Sequence, residues 1–149
     1  MEENEYKSRY SEIATIRCEF EKALTNNKAK CSYARHFCLA DREGYACTSR
    51  VSSAKCHEFL GLLREGSRFI LKLQQTGNKL PHNMEIRVQA GGLNGIQALF
   101  TPQQQDRVED IFALLEQAES EYGSLEKLPY SRVVKSIRSY QGRKSRKRN

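Results

Sequence analysis

No apolar run in these 149 residues approaches the roughly 20 needed for a membrane-spanning helix, which excludes an integral helical membrane protein. The opening residues, Met1-Glu2-Glu3-Asn4-Glu5, lack the positive charge and apolar stretch of a signal peptide. A reducing, cytoplasmic setting is therefore expected. The five cysteines include no C-x2-C pair, so neither a zinc knuckle nor a thioredoxin-type redox motif is present. An odd cysteine count without a signal peptide also argues against a disulfide framework. There is no internal repeat, no G-x-G-x-x-G and no Walker lysine motif, and no pair of carboxylates suggests a catalytic cleft. The reading is of a protein that is not an enzyme, with no small-molecule substrate site.

What the chain does have is a cluster of thiols. Cys31, Cys38, Cys47 and Cys56 fall within 26 residues at spacings of six, eight and eight, while the rest of the chain holds only Cys18. Four thiolates complete the coordination of a structural zinc or an iron–sulfur cluster. Even gaps without a tight C-x2-C turn suit a [4Fe–4S] cluster wrapped by a loop, with zinc as the alternative. Cys56 is expected in the first turn of a helix, where backbone N–H groups and the helix dipole favour a thiolate. His36 and His57 flank Cys38 and Cys56 and are candidates for hydrogen bonding around the centre. The competing reading treats the thiols as small buried hydrophobes.

The charge is equally localised. The chain carries 25 basic and 18 acidic residues, yet the stretch from Tyr130 to Asn149 has eight basic residues and no acidic ones. These are Arg132, Lys135, Arg138, Arg143, Lys144, Arg146, Lys147 and Arg148. The body is near neutral, and the excess forms an arm suited to nucleic acid or another anionic partner, such as an acidic protein.

Hydrophobic periodicity predicts a mainly α fold of four to five helices. Residues 1–141 would form one helical domain, with a cysteine-rich metal-binding loop over 28–57 between the first two helices. Residues 142–149 would be a disordered basic tail. The first helix is expected over 5–25, with Tyr6, Tyr10, Ile13, Ile16, Phe20 and Leu24 on one face and Cys18 turned away from Phe20. The second starts at Ser52-Ser53 and buries Phe59, Leu60, Leu63, Ile70 and Leu73. Residues Met84–Val88 alternate like a short strand, and Gly91-Gly92-Leu93-Asn94-Gly95 reads as a tight turn. Thr101-Pro102 would open a helix running to Tyr122 and stopped by Gly123. The last helix spans Tyr130 to Tyr140, with Val133, Val134 and Ile137 inward. Together these features point to a small metal-binding accessory protein with a basic docking arm. An iron–sulfur redox or redox-sensing module and a metal-free helical adaptor are the alternatives.

Overall fold

The computed structural model describes residues 2–71, 81–101 and 107–140. The tail residues Arg143, Lys144, Arg146, Lys147 and Arg148, together with Leu73 and Pro102, lie outside the described residues. The described chain is mainly helical, with one small sheet. In order it runs α1 (Glu3–Ile13), α2 (Glu21–Thr25), β1 (Ala34–Leu39), β2 (Arg42–Cys47), α3 (Arg50–Ser67), α4 (His82–Ile86), a π-helical turn (Arg87–Gly91), α5 (Gly92–Phe100), α6 (Ile111–Tyr122), a short 3-10 turn (Leu125–Lys127) and α7 (Tyr130–Ser139).

The expected first helix is broken in two. At Ala14 the backbone leaves the helix (φ −114°, ψ 87°). The next residues run extended beside β2: Arg17 bridges Ala46, Cys18 N–H donates to Tyr45 O at 3.0 Å, and Cys47 N–H donates to Ile16 O at 2.8 Å. Thr15 and Ile16 are β-branched, which lowers the cost of leaving the helix there.

The cysteine-rich segment is not a loop ordered from outside. It contains an antiparallel hairpin in which Ala34 pairs with Cys47 and Leu39 with Arg42. The turn is Ala40-Asp41, both at positive φ (50° and 65°), the pattern of a two-residue hairpin turn whose twist matches the strands. Asp tolerates that conformation and Ala does so less readily, so the turn carries no glycine signature.

Residues 82–100 are helical throughout, where a strand and a tight turn were expected. The glycines serve contact rather than turning. A Cβ on Gly95 would lie 2.8 Å from Val133 O and 3.0 Å from Val133 Cα, so α5 lies almost against the backbone of α7. The π turn inserts one extra residue and directs Gln89 inward, where its side-chain oxygen accepts from Ala23 N–H at 3.1 Å. Gln89 also donates to Glu85 at 3.0 Å, and Glu85 receives Arg64 at 2.6 Å. Thr101 closes α5 instead of opening the next helix, and α6 starts only at Ile111. Gly123 (φ 91°) ends α6, and Val133, Val134 and Ile137 are buried from α7, both as expected.

Two apolar clusters result. The larger joins Phe20, Ala23 and Leu24 to Phe59, Leu60 and Leu63 of α3, Leu93 and Ile96 of α5, Ile111 and Leu115 of α6, and the inner face of α7. The smaller, Tyr10, Ala14 and Ala46 with Tyr6, Phe37 and Leu39 around them, glues α1 to the hairpin.

Candidate metal centre

Ser49 caps α3 by accepting the Ser52 N–H, so this helix starts at Arg50 rather than at Ser52-Ser53. Cys56 therefore sits in the second turn, beyond the reach of the helix-terminal N–H groups. It projects toward a small pocket at the junction of the helical body and the hairpin. Cys18, Cys31, Cys47 and Cys56 all line this pocket. Its walls are mostly apolar, from Phe20, Ala34, Ile111, Phe112 and Leu115, with Lys55, Glu19 and Glu116 also contributing.

Each thiol arrives from a different segment. Cys18 ends the extended stretch hydrogen-bonded to β2, Cys31 lies between α2 and β1, Cys47 is the last residue of β2, and Cys56 belongs to α3. Cys31 is fixed on both sides. Ser32 donates its N–H and its hydroxyl to Asp110 Oδ1 at 2.9 and 3.2 Å, and Ile111 N–H donates to Lys30 O at 2.9 Å. Asp110 stands at the N-cap of α6 but makes no cap bond of its own, because its side chain is committed to Ser32.

Backbone donors point at two of the sulfurs. The Phe20 N–H faces Cys18 Sγ, and the N–H groups of Tyr33 and Phe112 face Cys31 Sγ. Phe112 is in the first turn of α6, so the helix-terminal N–H expected at Cys56 is supplied to Cys31 instead. Burial pushes the Cys18 thiol up to about 12, and the neighbouring Cys31 and Cys47 add to the shift. Burial also raises Cys31 and Cys56, and Cys56 is raised further by Cys18, Cys31 and Cys47. With their ionisation penalised in this way, Cys18, Cys31 and Cys56 are neutral at pH 7 unless a cation offsets the charge. Cys47 Sγ donates to Ser49 O at 3.2 Å, as a neutral thiol does.

The structure thus brings Cys31, Cys47 and Cys56 together with Cys18. Cys38 is exposed on β1, paired across the strands with Glu43, and does not line the pocket. His36 is also exposed on β1, its Nε2 3.7 Å from Glu43. His57 faces outward, with Nδ1 3.1 Å from Glu19 Oε1. Neither histidine lines the thiol pocket. With the side chains as they stand the cavity is about 20 Å³, enough for one water-sized body. Among the described residues, no group of three or more His, Cys, Asp or Glu side chains is arranged to hold a metal ion.

Cys18 was missed because a helical wheel over 5–25 turned it away from Phe20, and the wheel fails once the chain leaves the helix at Ala14. The β-branched residues in Ile13-Ala14-Thr15-Ile16 were the available signal.

The basic residues of α7 fall as expected. Arg132, Lys135 and Arg138 are all exposed, opposite the buried Val133, Val134 and Ile137. No described helix is long and apolar enough to cross a membrane. No protein-family model matches the chain, and comparisons with curated proteins and with solved structures return no match.

Proposed function

We propose that this chain is a small metal-centred accessory protein, in which Cys18, Cys31, Cys47 and Cys56 hold a metal centre and the basic face of α7, with the tail beyond it, docks on nucleic acid. The observation that carries the reading is the convergence of four thiols from four separate segments on one largely apolar pocket. The chemistry of the donor set suits the group, and the thiol side chains must turn to converge on it, since as they stand no three among the described residues are arranged around an ion. Four sulfurs complete a tetrahedral zinc site or a [4Fe–4S] cluster, and N–H groups aimed at Cys18 and Cys31 stabilise negative charge on sulfur. The absence of any C-x2-C turn favours the cluster by spacing, whereas the cavity of about 20 Å³ fits a single zinc ion as the walls stand and a cluster only if they open. When bound, the group would supply a cross-link between the hairpin and the helical body.

Docking is assigned to α7 because its outward charge is all of one sign. Arg132, Lys135 and Arg138 form a cationic face on a helix whose other side is locked in the core. Such a face binds phosphate backbones with little base preference. On this reading the protein binds and positions a partner and is not a catalyst.

The test is purification without oxygen followed by analysis for iron, sulfide and zinc. The expected result is about four irons with matching sulfide per chain and a broad absorbance band near roughly 400 nm, or one zinc if the alternative holds. A folded protein that carries neither, and takes up neither on reconstitution, would overturn the metal assignment.

A further inference from the structure

A second cavity, of about 230 Å³, opens on the other side of Cys31 and Ala34. Its polar lining is Asn27, Lys30, His36, Tyr45 and Arg107, with no carboxylate among the lining residues. The backbone holds this arrangement in place. Ala29 and Val108 form a parallel bridge, Lys30 N–H donates to Val108 O at 2.8 Å, and Val108 N–H donates to Lys28 O at 3.1 Å. With Ala29 and Val108 buried, the adjacent Lys30 and Arg107 come out together on the pocket side.

The nearby acids make their hydrogen bonds and ion pairs to groups other than Lys30 and Arg107. Asp110 is held by Ser32, and Glu21 by Tyr10, Arg17 and the Tyr45 N–H. Glu43 does not line the cavity and lies 3.7 Å from His36 Nε2. The Nε of Arg107 is buried and has no hydrogen-bond partner. A buried guanidinium N–H without an acceptor is costly and calls for one.

From these observations we infer that the cavity lined by Lys30, His36 and Arg107 is a binding site for a phosphoryl group, as a phosphate monoester or diester. A guanidinium fork and an ammonium point charge are the two side chains best matched to phosphate oxygens. The two cations and the His36 ring come from three segments, before β1, within β1 and ahead of α6, so they surround a tetrahedral oxyanion better than a planar carboxylate. The volume is below the roughly 300–1,000 Å³ of pockets that enclose drug-sized molecules, so it accommodates a phosphoryl group and not a whole nucleotide. The site is separate from α7 and does not depend on a metal at the thiols.

Titration of the full chain with inorganic phosphate, followed by 31P NMR or calorimetry, tests the site directly. R107Q and K30Q are each expected to weaken phosphate binding about tenfold or more, the worth of one or two charge-assisted hydrogen bonds. The triple variant R132E/K135E/R138E should leave phosphate binding unchanged while weakening long nucleic acid, so failure of this site and failure of the α7 assignment are told apart. Oligonucleotides with and without a 5′-phosphate distinguish the source. Preference for the phosphorylated strand that disappears in R107Q identifies a terminal monoester, whereas equal binding that falls equally in R107Q identifies backbone diesters. Absence of phosphate binding, binding unchanged in both R107Q and K30Q, or equal binding of acetate would overturn the assignment. Lys30 is exposed, so K30Q gives an answer even if R107Q fails to fold.

Discussion

Comparing Cys18→Ser with Cys38→Ser decides which thiols make up the centre. In the structure Cys18 lines the pocket and packs against the main apolar cluster, while Cys38 is exposed on the outer hairpin strand. Structural zinc contributes on the order of 10–16 kcal/mol through four ligands, so one ligand corresponds to about 3–4 kcal/mol, or roughly a 10²–10³-fold loss of affinity. A loss of that size strips the centre during ordinary desalting. Without metal, the Cys18→Ser change should cost only about 1 kcal/mol, since it places a hydroxyl in a half-buried thiol site, and Cys38→Ser should be within about 0.5 kcal/mol of wild type. The assay is metal content per chain after anaerobic desalting, alongside urea unfolding of apo protein to separate ligand loss from misfolding. Cys18→Ala serves as a second variant. If Cys38→Ser empties the centre and Cys18→Ser keeps it full, the geometric assignment is refuted and the sequence-spaced set Cys31, Cys38, Cys47 and Cys56 is restored. If neither variant alters metal content, the thiols are ordinary core residues.

Gly95→Ala should destabilise the protein by about 1–3 kcal/mol in urea unfolding, because the new Cβ meets the Val133 backbone, which cannot move aside like a side chain; a neutral result would show that α5 and α7 do not approach this closely. Glu85→Ala should cost about 3 kcal/mol by leaving the nearly buried Arg64 guanidinium without its carboxylate, and Glu85→Gln less; a change under about 0.5 kcal/mol would refute that pairing. Reversing Arg132, Lys135 and Arg138 to Glu should flatten the salt dependence of nucleic-acid binding by about one unit of slope per lost phosphate contact, with unfolding unaffected; an unchanged slope in filter binding would remove α7 from the interface.

Elements whose residues do one job were legible from the sequence. Val133, Val134 and Ile137 recur at helical spacing between basic residues, and α7 forms as that pattern dictates. Phe59, Leu60 and Leu63 likewise mark the buried face of α3. The misread elements are those where tertiary contact overrides the local signal. Gly91, Gly92 and Gly95 have turn-like composition, but their lack of side chains lets α5 meet α7 and the neighbouring Leu63. The apparent alternation over Met84–Val88 breaks down because Glu85, a charged residue, is buried against Arg64. At the thiol site three of the four cysteines that line the pocket, Cys31, Cys47 and Cys56, belong to the set that spacing groups together. The fourth depended on a helix break at Ala14 whose cause, pairing of Arg17 with Ala46 on β2, is 29 residues away in the chain.

That same pairing changes what a metal would do here. A disordered cysteine loop would depend on its centre for any structure, whereas this hairpin has its own ladder and its own small apolar cluster with α1. A second, metal-independent tie already joins the hairpin to the helical body. Glu21 of α2 accepts from Tyr10 of α1, from Arg17, and from the Tyr45 N–H of β2 at 3.0 Å. Cys18, Cys31 and Cys56 pack against the main core, and Cys47 follows Ala46 of the smaller cluster, so the thiol pocket lies on the seam between the two. A centre placed there would lock the relative position of two parts that each have their own apolar contacts. Its loss should loosen the seam before it melts either part.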